Sequence, residues 1–210
     1  MYSEYVMKRF FDIVVSGLAL LLLWPLILIF AILIRTDSRG PVFFCQIRMG
    51  RNFRPFRLWK LRTMTHGSSG AEVTIKGDPR ITRIGKFLRA TKLDELPQLW
   101  NVFCGDMSFV GPRPEVEHFV KQFRPAYEEI LQLRPGMTDP ASIKYRHEAE
   151  LLGAVSDPQR YYVDVILPDK IRINKEYVHS QGLGADIVII LRTFAVLFRK
   201  EESTSVTFSK

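Results

Sequence analysis

The chain has 210 residues, which is enough for one compact domain with a small appendage. Lys and Arg exceed Asp and Glu by eight, 30 against 22, which indicates an anionic partner: nucleic acid, anionic lipid or a phosphorylated substrate. Cys45 and Cys104 form no CxxC pair, and the four histidines lack metal-ligand spacing. The composition therefore argues against a disulfide scaffold and against a zinc site.

Residues 13–34 form an almost uninterrupted apolar run near the amino terminus. At about 1.5 Å per residue, this run would just cross roughly 30 Å of hydrocarbon. It is longer than the core of a usual signal peptide, and no small-residue cleavage site follows it, so we expect it to be retained. Proximity to this run favours lipid headgroups or a phosphorylated substrate as the anionic partner.

Two features of this run argue against a simple crossing. Lys8 and Arg9 precede it and Arg35 and Arg39 follow it, so the positive-inside rule is best satisfied if both ends are cytoplasmic. Pro25 lies in the middle, where it would kink a helix and leave two pieces that are each too short to span. We therefore predict a re-entrant helix–break–helix over residues 1–39, with a kinked spanning helix as the alternative.

The remaining sequence predicts a mainly α-helical α+β domain over residues 40–200, with a small β-hairpin, followed by a polar tail at 201–210. Runs typical of strands at 42–47 and 56–61 flank a turn at 49–52. Helical patterns cover 82–90, 93–103, 115–133, 169–181 and 186–198. The last of these is amphipathic enough to be either a core helix or a helix in the membrane interface. Proline-rich turns are predicted at 111–114 and 134–140.

The strongest chemical signal is the adjacent pair Asp94 and Glu95. Two neighbouring carboxylates can bind a hard cation such as Mg²⁺, or divide the roles of nucleophile and metal ligand. The alternative is that a carboxylate pair at the start of a helix only interacts favourably with the helix dipole.

Basic residues surround this pair in the sequence. Arg89 is one of five that precede it, Arg113 and Arg134 lie on the two proline-rich turns, and Lys60 and Arg62 belong to the hairpin. Each could be an ordinary surface charge, but the cluster suits a phosphorylated substrate, since arginine binds phosphate through two parallel hydrogen bonds. Neither a Walker A loop nor a GxGxxG motif is present.

Seven stretches together resemble one known family, the bacterial monotopic phosphoglycosyl transferases, also called bacterial sugar transferases. The resemblance covers almost the whole chain in the family's order. The stretches are Lys8-Arg9-Phe10-Phe11-Asp12, Pro25, Gly40-Pro41-Val42-Phe43-Phe44, Gln46-Ile47-Arg48-Met49-Gly50, Lys60-Leu61-Arg62-Thr63-Met64, residues 78–114, and Arg134-Pro135-Gly136-Met137-Thr138.

The resemblance implies transfer of a phosphosugar from a UDP-sugar to polyprenyl (undecaprenyl) phosphate, with release of UMP, as the first membrane step of glycoconjugate assembly. Asp94 would be the nucleophile that forms a covalent phosphosugar intermediate, and Glu95 would support it. Both would adjoin Mg²⁺. The expected substrate-binding residues are Lys60, Arg62, Arg89, Arg113 and Arg134.

The resemblance also implies a monotopic protein at the cytoplasmic face of the bacterial inner membrane, in contact with anionic phospholipid. A homodimer is compatible with this expectation. No nucleic-acid partner is expected, because the carboxylate pair lies inside the basic cluster. A non-catalytic membrane scaffold of a glycan-assembly complex is the alternative function.

Two positions depart from the family pattern. Trp24 precedes Pro25 at the expected membrane break, where many members have serine, so the bend must be stabilised differently. Asp139-Pro140-Ala141-Ser142-Ile143 replaces the Gly-Trp-Ala-Gln-Val stretch of many members. The identity of the sugar therefore cannot be transferred from other members if this loop contacts it.

Overall fold

The computed structural model describes residues 2–68, 73–75 and 77–198. The predicted polar tail at 201–210 lies outside the described residues. The described chain is mostly helical, as predicted. The α-helices are α1 (Tyr2–Asp37), α2 (Arg83–Thr91), α3 (Gln98–Cys104), α4 (Glu117–Gln122), α5 (Arg124–Ile130), α6 (Pro140–Lys144), α7 (Glu148–Gly153), α8 (Pro158–Tyr161), α9 (Leu167–Ser180) and α10 (Leu183–Phe198). A π-helical segment, Tyr162–Ile166, joins α8 to α9.

Two small sheets accompany the helices. Strands β1 (Phe43–Met49) and β2 (Pro55–Leu61) pair antiparallel, which confirms the predicted hairpin. Strands β3 (Ser108–Val110) and β4 (Gly136–Thr138) pair in parallel, an element that the sequence analysis did not predict. This second pair brings the two proline-rich turns side by side, because Gly136 donates its amide hydrogen to the carbonyl of Pro112.

The core consists of several apolar clusters. The largest joins the end of β1 to α4, α5, α7 and α9, and includes Ile130, Leu152 and Ile166. A second cluster packs Phe56 and Leu58 of β2 against α3. Buried Leu88 of α2 belongs to a third cluster.

Helix α1 is continuous through Pro25, so the chain stays helical where the sequence predicted a break between two helices. It is the helix in the described chain that is long and apolar enough to cross a membrane. Most of its middle is exposed: Leu21 and Leu22 are 68% and 74% accessible, and Trp24 is 58%. Such an apolar surface indicates association with a membrane. Its re-entrant path stays a prediction.

The amino-terminal part of α1 is fixed to the domain by polar contacts. Lys8 Nζ donates to the Val110 carbonyl at 2.8 Å and pairs with Asp186 of α10 at 2.6 Å. Arg9 donates to the carbonyls of Val102 and Phe103 at the end of α3, at 2.6 and 2.8 Å. A cation suits the position of Arg9 because helix carboxyl ends carry unsatisfied carbonyls.

The carboxyl-terminal part of α1 contacts the same domain. Phe30 and Ile34 are buried against Leu61 of β2 and Leu88 of α2. The Asp37 carboxylate accepts the amide hydrogen of Ile84, which satisfies one of the free donors at the start of α2. Both ends of α1 are therefore attached to one folded unit.

Asp12 provides a test of the amino-terminal attachment. Its side chain is 2% exposed and accepts the Phe109 amide hydrogen at 3.1 Å and the Ser108 hydroxyl at 3.2 Å. Asp12→Ala leaves two buried donors unpaired, so we expect a loss of about 1–3 kcal/mol and a thermal midpoint lower by several degrees in detergent. Asp12→Asn keeps the accepting oxygen and is the control. Equal midpoints for the two variants would contradict this role.

Candidate active site

Asp94 and Glu95 lie on a 3₁₀ turn, Leu93–Glu95, between α2 and α3. The sequence predicted one continuous helix over 93–103. Instead Glu95 and Leu96 donate to the carbonyls three residues earlier. Pro97 explains the difference, because it has no amide hydrogen to donate to Leu93, and the α-helical pattern therefore begins only at Gln98.

Helix α2 places this turn. It begins at a Thr82 cap, whose hydroxyl accepts the Gly85 amide hydrogen at 3.0 Å, and ends at Lys92 in the left-handed conformation, with φ of 59°. Gly85 lets the helix approach the chain after β2: a Cβ there would lie 2.1 Å from the Thr63 carbonyl oxygen. This close approach brings the carboxylate pair next to the hairpin.

Glu95 is buried and held by two cations. Its Oε1 accepts from Arg113 Nη2 at 2.6 Å and from Lys60 Nζ at 3.0 Å. Burial opposes ionisation of this group, but Arg113 and then Lys60 outweigh it and hold the pKa of Glu95 well below its usual range. Glu95 is therefore an anion near neutral pH, and its Oε1 already accepts two hydrogen bonds.

Asp94 has a different environment. It is 7% exposed, and its Oδ1 is buried with no hydrogen-bond partner among the residues that the structure describes. Burial raises the pKa of Asp94, while the nearby cations Lys60, Lys92 and Arg89 oppose that rise. An oxygen with no protein partner, beside several cations, is suited to react with or bind an electrophilic centre.

Arg89 borders the pair, and Phe44 lies on the same face of the hairpin as Lys60. Arg89 on α2 is half-buried, donates through Nε to the Thr63 hydroxyl at 2.8 Å, and interacts electrostatically with Asp94. Phe44 lies opposite Lys60 in the hairpin, and paired residues share one face of a sheet. Its ring, 48% exposed, is therefore on the face that carries the Lys60 cation. The sequence indicated no role for Phe44, and only the hairpin register places it on the Lys60 face.

Arg62 and Arg134 have other surroundings. Arg62 is buried and donates to the carbonyls of Ser38 and Arg39, just after α1, at 2.7 and 3.0 Å. Arg134 donates through Nε to the Gly105 carbonyl at 2.7 Å and through Nη1 to the hydroxyl of Tyr5. The structure thus brings together Lys60, Arg89 and Arg113 around the carboxylates, and it places Arg62 and Arg134 in contact with α1 and its flanks.

The protein alone supplies too few oxygen ligands to hold Mg²⁺ within the described residues. Within the described ranges, no group of three or more His, Cys, Asp or Glu side chains could hold a metal ion. The unpartnered Asp94 Oδ1 is nevertheless a suitable oxygen ligand. Mg²⁺ is commonly held by one or two carboxylates together with substrate phosphates and water. The residues therefore fit a Mg²⁺ ion that arrives with a diphosphate.

A family model described as bacterial sugar transferase matches residues 3–200. The chain belongs to the bacterial sugar transferase family. The resemblance found in the sequence is thereby confirmed, and the family is one of transferases.

Curated relatives carry specific names. A UDP-glucose:undecaprenyl-phosphate glucose-1-phosphate transferase of Klebsiella pneumoniae is 42% identical over 90% of this chain and 39% of its own length. A UDP-N-acetylgalactosamine-undecaprenyl-phosphate N-acetylgalactosaminephosphotransferase of Aeromonas hydrophila is 37% identical over 90% of this chain and 43% of its own length. A UDP-glucose:undecaprenyl-phosphate glucose-1-phosphate transferase of Caulobacter vibrioides is 36% identical over 93% of this chain and 71% of its own length. The chain spans about two fifths of the first two relatives.

The charge balance at Glu95 can be tested through stability. Arg113→Met removes the cation that most lowers the pKa of Glu95. We expect a loss of about 1–3 kcal/mol near neutral pH, less than for a fully buried pair because Arg113 is 35% exposed and Lys60 remains.

The sign of the pH dependence follows from linkage. A lowered folded-state pKa contributes stability above the unfolded value of about 4.3, which is lost as pH falls through the folded pKa. The defect of Arg113→Met should therefore shrink on acidification. Thermal midpoints from pH 7.5 down to pH 2.5 measure this, because the contribution of Glu95 is lost only below about pH 4.3. Glu95→Gln in the same background should restore part of the stability. A pH-independent defect would contradict the pairing.

Proposed function

We propose that this chain transfers a phosphosugar from a UDP-sugar to undecaprenyl phosphate and releases UMP, through a phosphosugar intermediate on Asp94. The observation that carries this proposal is the contrast within the carboxylate pair. Asp94 Oδ1 is buried without a partner in the described chain, whereas Glu95 is held by Arg113 and Lys60. The names of the relatives support the overall reaction.

Two displacements make up the reaction. An Asp94 carboxylate oxygen attacks the β-phosphorus of the UDP-sugar, the bond between that phosphorus and the bridging oxygen breaks, and UMP leaves with the electron pair. A phosphate oxygen of undecaprenyl phosphate then attacks the same phosphorus and releases the Asp94 carboxylate. Splitting one displacement into two lets the soluble donor and the lipid acceptor use the same site in turn.

The cations supply electrostatic stabilisation. Arg113, Lys60 and Arg89 surround the carboxylates, and they would offset the charge that builds on the phosphoryl oxygens. Arg62 and Arg134 do not belong to this group of cations, because they donate to backbone carbonyls and to the hydroxyl of Tyr5. The exposed ring of Phe44 offers a stacking surface for the uracil base.

Mg²⁺, when bound, would neutralise the diphosphate and stabilise the departing UMP. Asp94 is its candidate protein ligand, and Glu95 is the neighbouring carboxylate. The surrounding cations make the site unfavourable for a lone metal ion, so the diphosphate is expected to bring Mg²⁺ with it.

We further propose a monotopic placement at the cytoplasmic face of the bacterial inner membrane. Both ends of α1 contact one folded domain: Lys8 and Arg9 at the start, and Ile34 and Asp37 at the end. A domain on one side of a bilayer can hold both ends only if the exposed apolar middle enters and leaves by that side. This arrangement supports the re-entrant path, although α1 remains helical through Trp24 and Pro25.

Substitution of the proposed nucleophile tests the reaction. Asp94→Asn should lower UMP release from UDP-sugars by at least about 10³-fold, because the amide is a poor nucleophile. Asp164→Asn is the matched control at an exposed position. With the acceptor withheld, wild-type protein should gain the mass of one sugar phosphate, and Asp94→Asn should not. Undiminished UMP release by Asp94→Asn would exclude the assignment.

Labelling tests the topology of α1. In a background with Cys45→Ser and Cys104→Ser, single variants Glu4→Cys and Thr36→Cys report on the two ends of the helix. A membrane-impermeant maleimide should modify both in inside-out vesicles and neither in right-side-out vesicles, because both ends are cytoplasmic. Vesicles opened with detergent give the full labelling reference. Modification of the two positions from opposite faces would establish a spanning helix.

A further inference from the structure

Arg113 lines a small polar cavity in addition to binding Glu95. The cavity has a volume of about 20 Å³, and its polar lining includes Arg113, Glu115, Asp139, Ser142, Lys170 and Asn174. A space of about 10–15 Å³ is enough for one water-sized group. The cavity can therefore receive a single polar substituent, but not a whole sugar ring.

Two acceptor atoms of this lining lack donors. Glu115 Oε2 and Asn174 Oδ1 are both buried and have no hydrogen-bond partner within the described part of the chain. The Asn174 side chain belongs to a residue that is only 7% exposed. Buried acceptors carry a desolvation cost unless a donor reaches them, so their presence here calls for a group with an O–H or N–H bond.

The nearby donors already have partners. The Ser142 amide and hydroxyl both donate to the Asp139 carboxylate, at 2.8 and 2.7 Å. Lys170 is paired with Glu148, and Arg48 pairs with Glu115 through Oε1 at 3.6 Å. The Tyr162 hydroxyl donates to the other oxygen of Glu115, Oε1, at 3.2 Å. The donor that Glu115 Oε2 and Asn174 Oδ1 require is therefore expected from outside the protein.

We propose that this cavity receives one hydroxyl group of the sugar in the UDP-sugar. Its single hydrogen is shared between Glu115 Oε2 and Asn174 Oδ1, and these two residues thereby select among sugars. The proposal rests on the proposed function, in which Arg113 holds a phosphate. Because Arg113 borders both the carboxylate pair and the cavity, a phosphate bound there has its sugar next to the cavity.

The size of the cavity sets the expected preference. A hydroxyl contributes one non-hydrogen atom, whereas an acetamido group contributes four and exceeds the available space. The site thus favours a free hydroxyl over an acetamido group at the recognised position of the sugar. Asp139 and Ser142 of the lining belong to the stretch at 139–143, where the chain departs from the common family pattern.

Differences among the relatives fit this placement. One is named for UDP-glucose and another for UDP-N-acetylgalactosamine, although both resemble this chain over 90% of its length. Since relatives named for different sugars belong to one family, the residues that distinguish the sugars are expected to lie outside the reacting carboxylates. A hydroxyl pocket beside the phosphate-binding arginine meets that need.

Variants of Asn174 test the proposal. Asn174→Leu keeps the approximate volume but removes the acceptor, and Asn174→Ser stays polar but enlarges the cavity. Arg172→Leu, on the exposed side of the same helix α9, is the matched control. For each protein, kcat/KM is measured with UDP-glucose, UDP-galactose and their N-acetylated counterparts, and UMP affinity is measured by calorimetry.

We expect Asn174→Leu to lower kcat/KM for the preferred hexose by about tenfold to a hundredfold, with UMP affinity and thermal midpoint close to the control. Asn174→Ser should raise the relative rate with N-acetylated sugars by about tenfold. Equal changes for all four sugars, or no change, would overturn the proposal and leave the cavity as the site of a bound water.

A second measurement separates this inference from the proposed function. The same four UDP-sugars are titrated into Asp94→Asn protein, with and without Asn174→Leu, where no turnover is required. A changed order of affinities supports the sugar pocket even if wild-type protein releases no UMP, in which case only the reaction assignment fails. An unchanged order rejects the pocket even if UMP release is normal.

Discussion

The burial of Glu95 is the constraint on which the site depends. A buried carboxylate is stable only when it is paired, and its two cations come from distant parts of the chain. Lys60 is contributed by β2, 35 residues earlier, and Arg113 by the segment after β3, 18 residues later. The two ion pairs of Glu95 therefore hold the hairpin, the 3₁₀ turn and the proline-rich turn at 111–114 in one arrangement.

This pairing also separates the roles of two chemically similar neighbours. Glu95 takes the hydrogen bonds of Arg113 and Lys60, so its pKa falls, while Asp94 keeps a buried oxygen without a donor in the described chain and its pKa rises. The Glu95 anion raises the pKa of Asp94, whereas the cations Lys60, Lys92 and Arg89 lower it. The arrangement leaves one carboxylate structural and the other available for reaction.

The sequence predicted those features that depend on local pattern. Alternation identified the hairpin, and the density of charge around Asp94 indicated the candidate site, which stays a prediction. The sequence did not predict elements that depend on contacts between distant residues. Strands β3 and β4 have only three residues each, and more than twenty residues separate them in the chain. It could not give the direction of a guanidinium either, so Arg62, which faces the end of α1, was grouped with Arg113. The 3₁₀ turn was missed although Pro97 signals it.

Strand β2 connects the membrane segment to the reacting groups over a very short distance. Lys60 contacts Glu95, and Arg62, two residues or about 7 Å further along, contacts the chain that leaves α1. Leu61 between them packs on Phe30. The carboxyl-terminal part of α1 and the Glu95 contact are therefore joined through three consecutive residues of one strand and its end. A displacement of α1 relative to the domain would reach Lys60, and with it the charge balance at Glu95, before it reached any other part of the site.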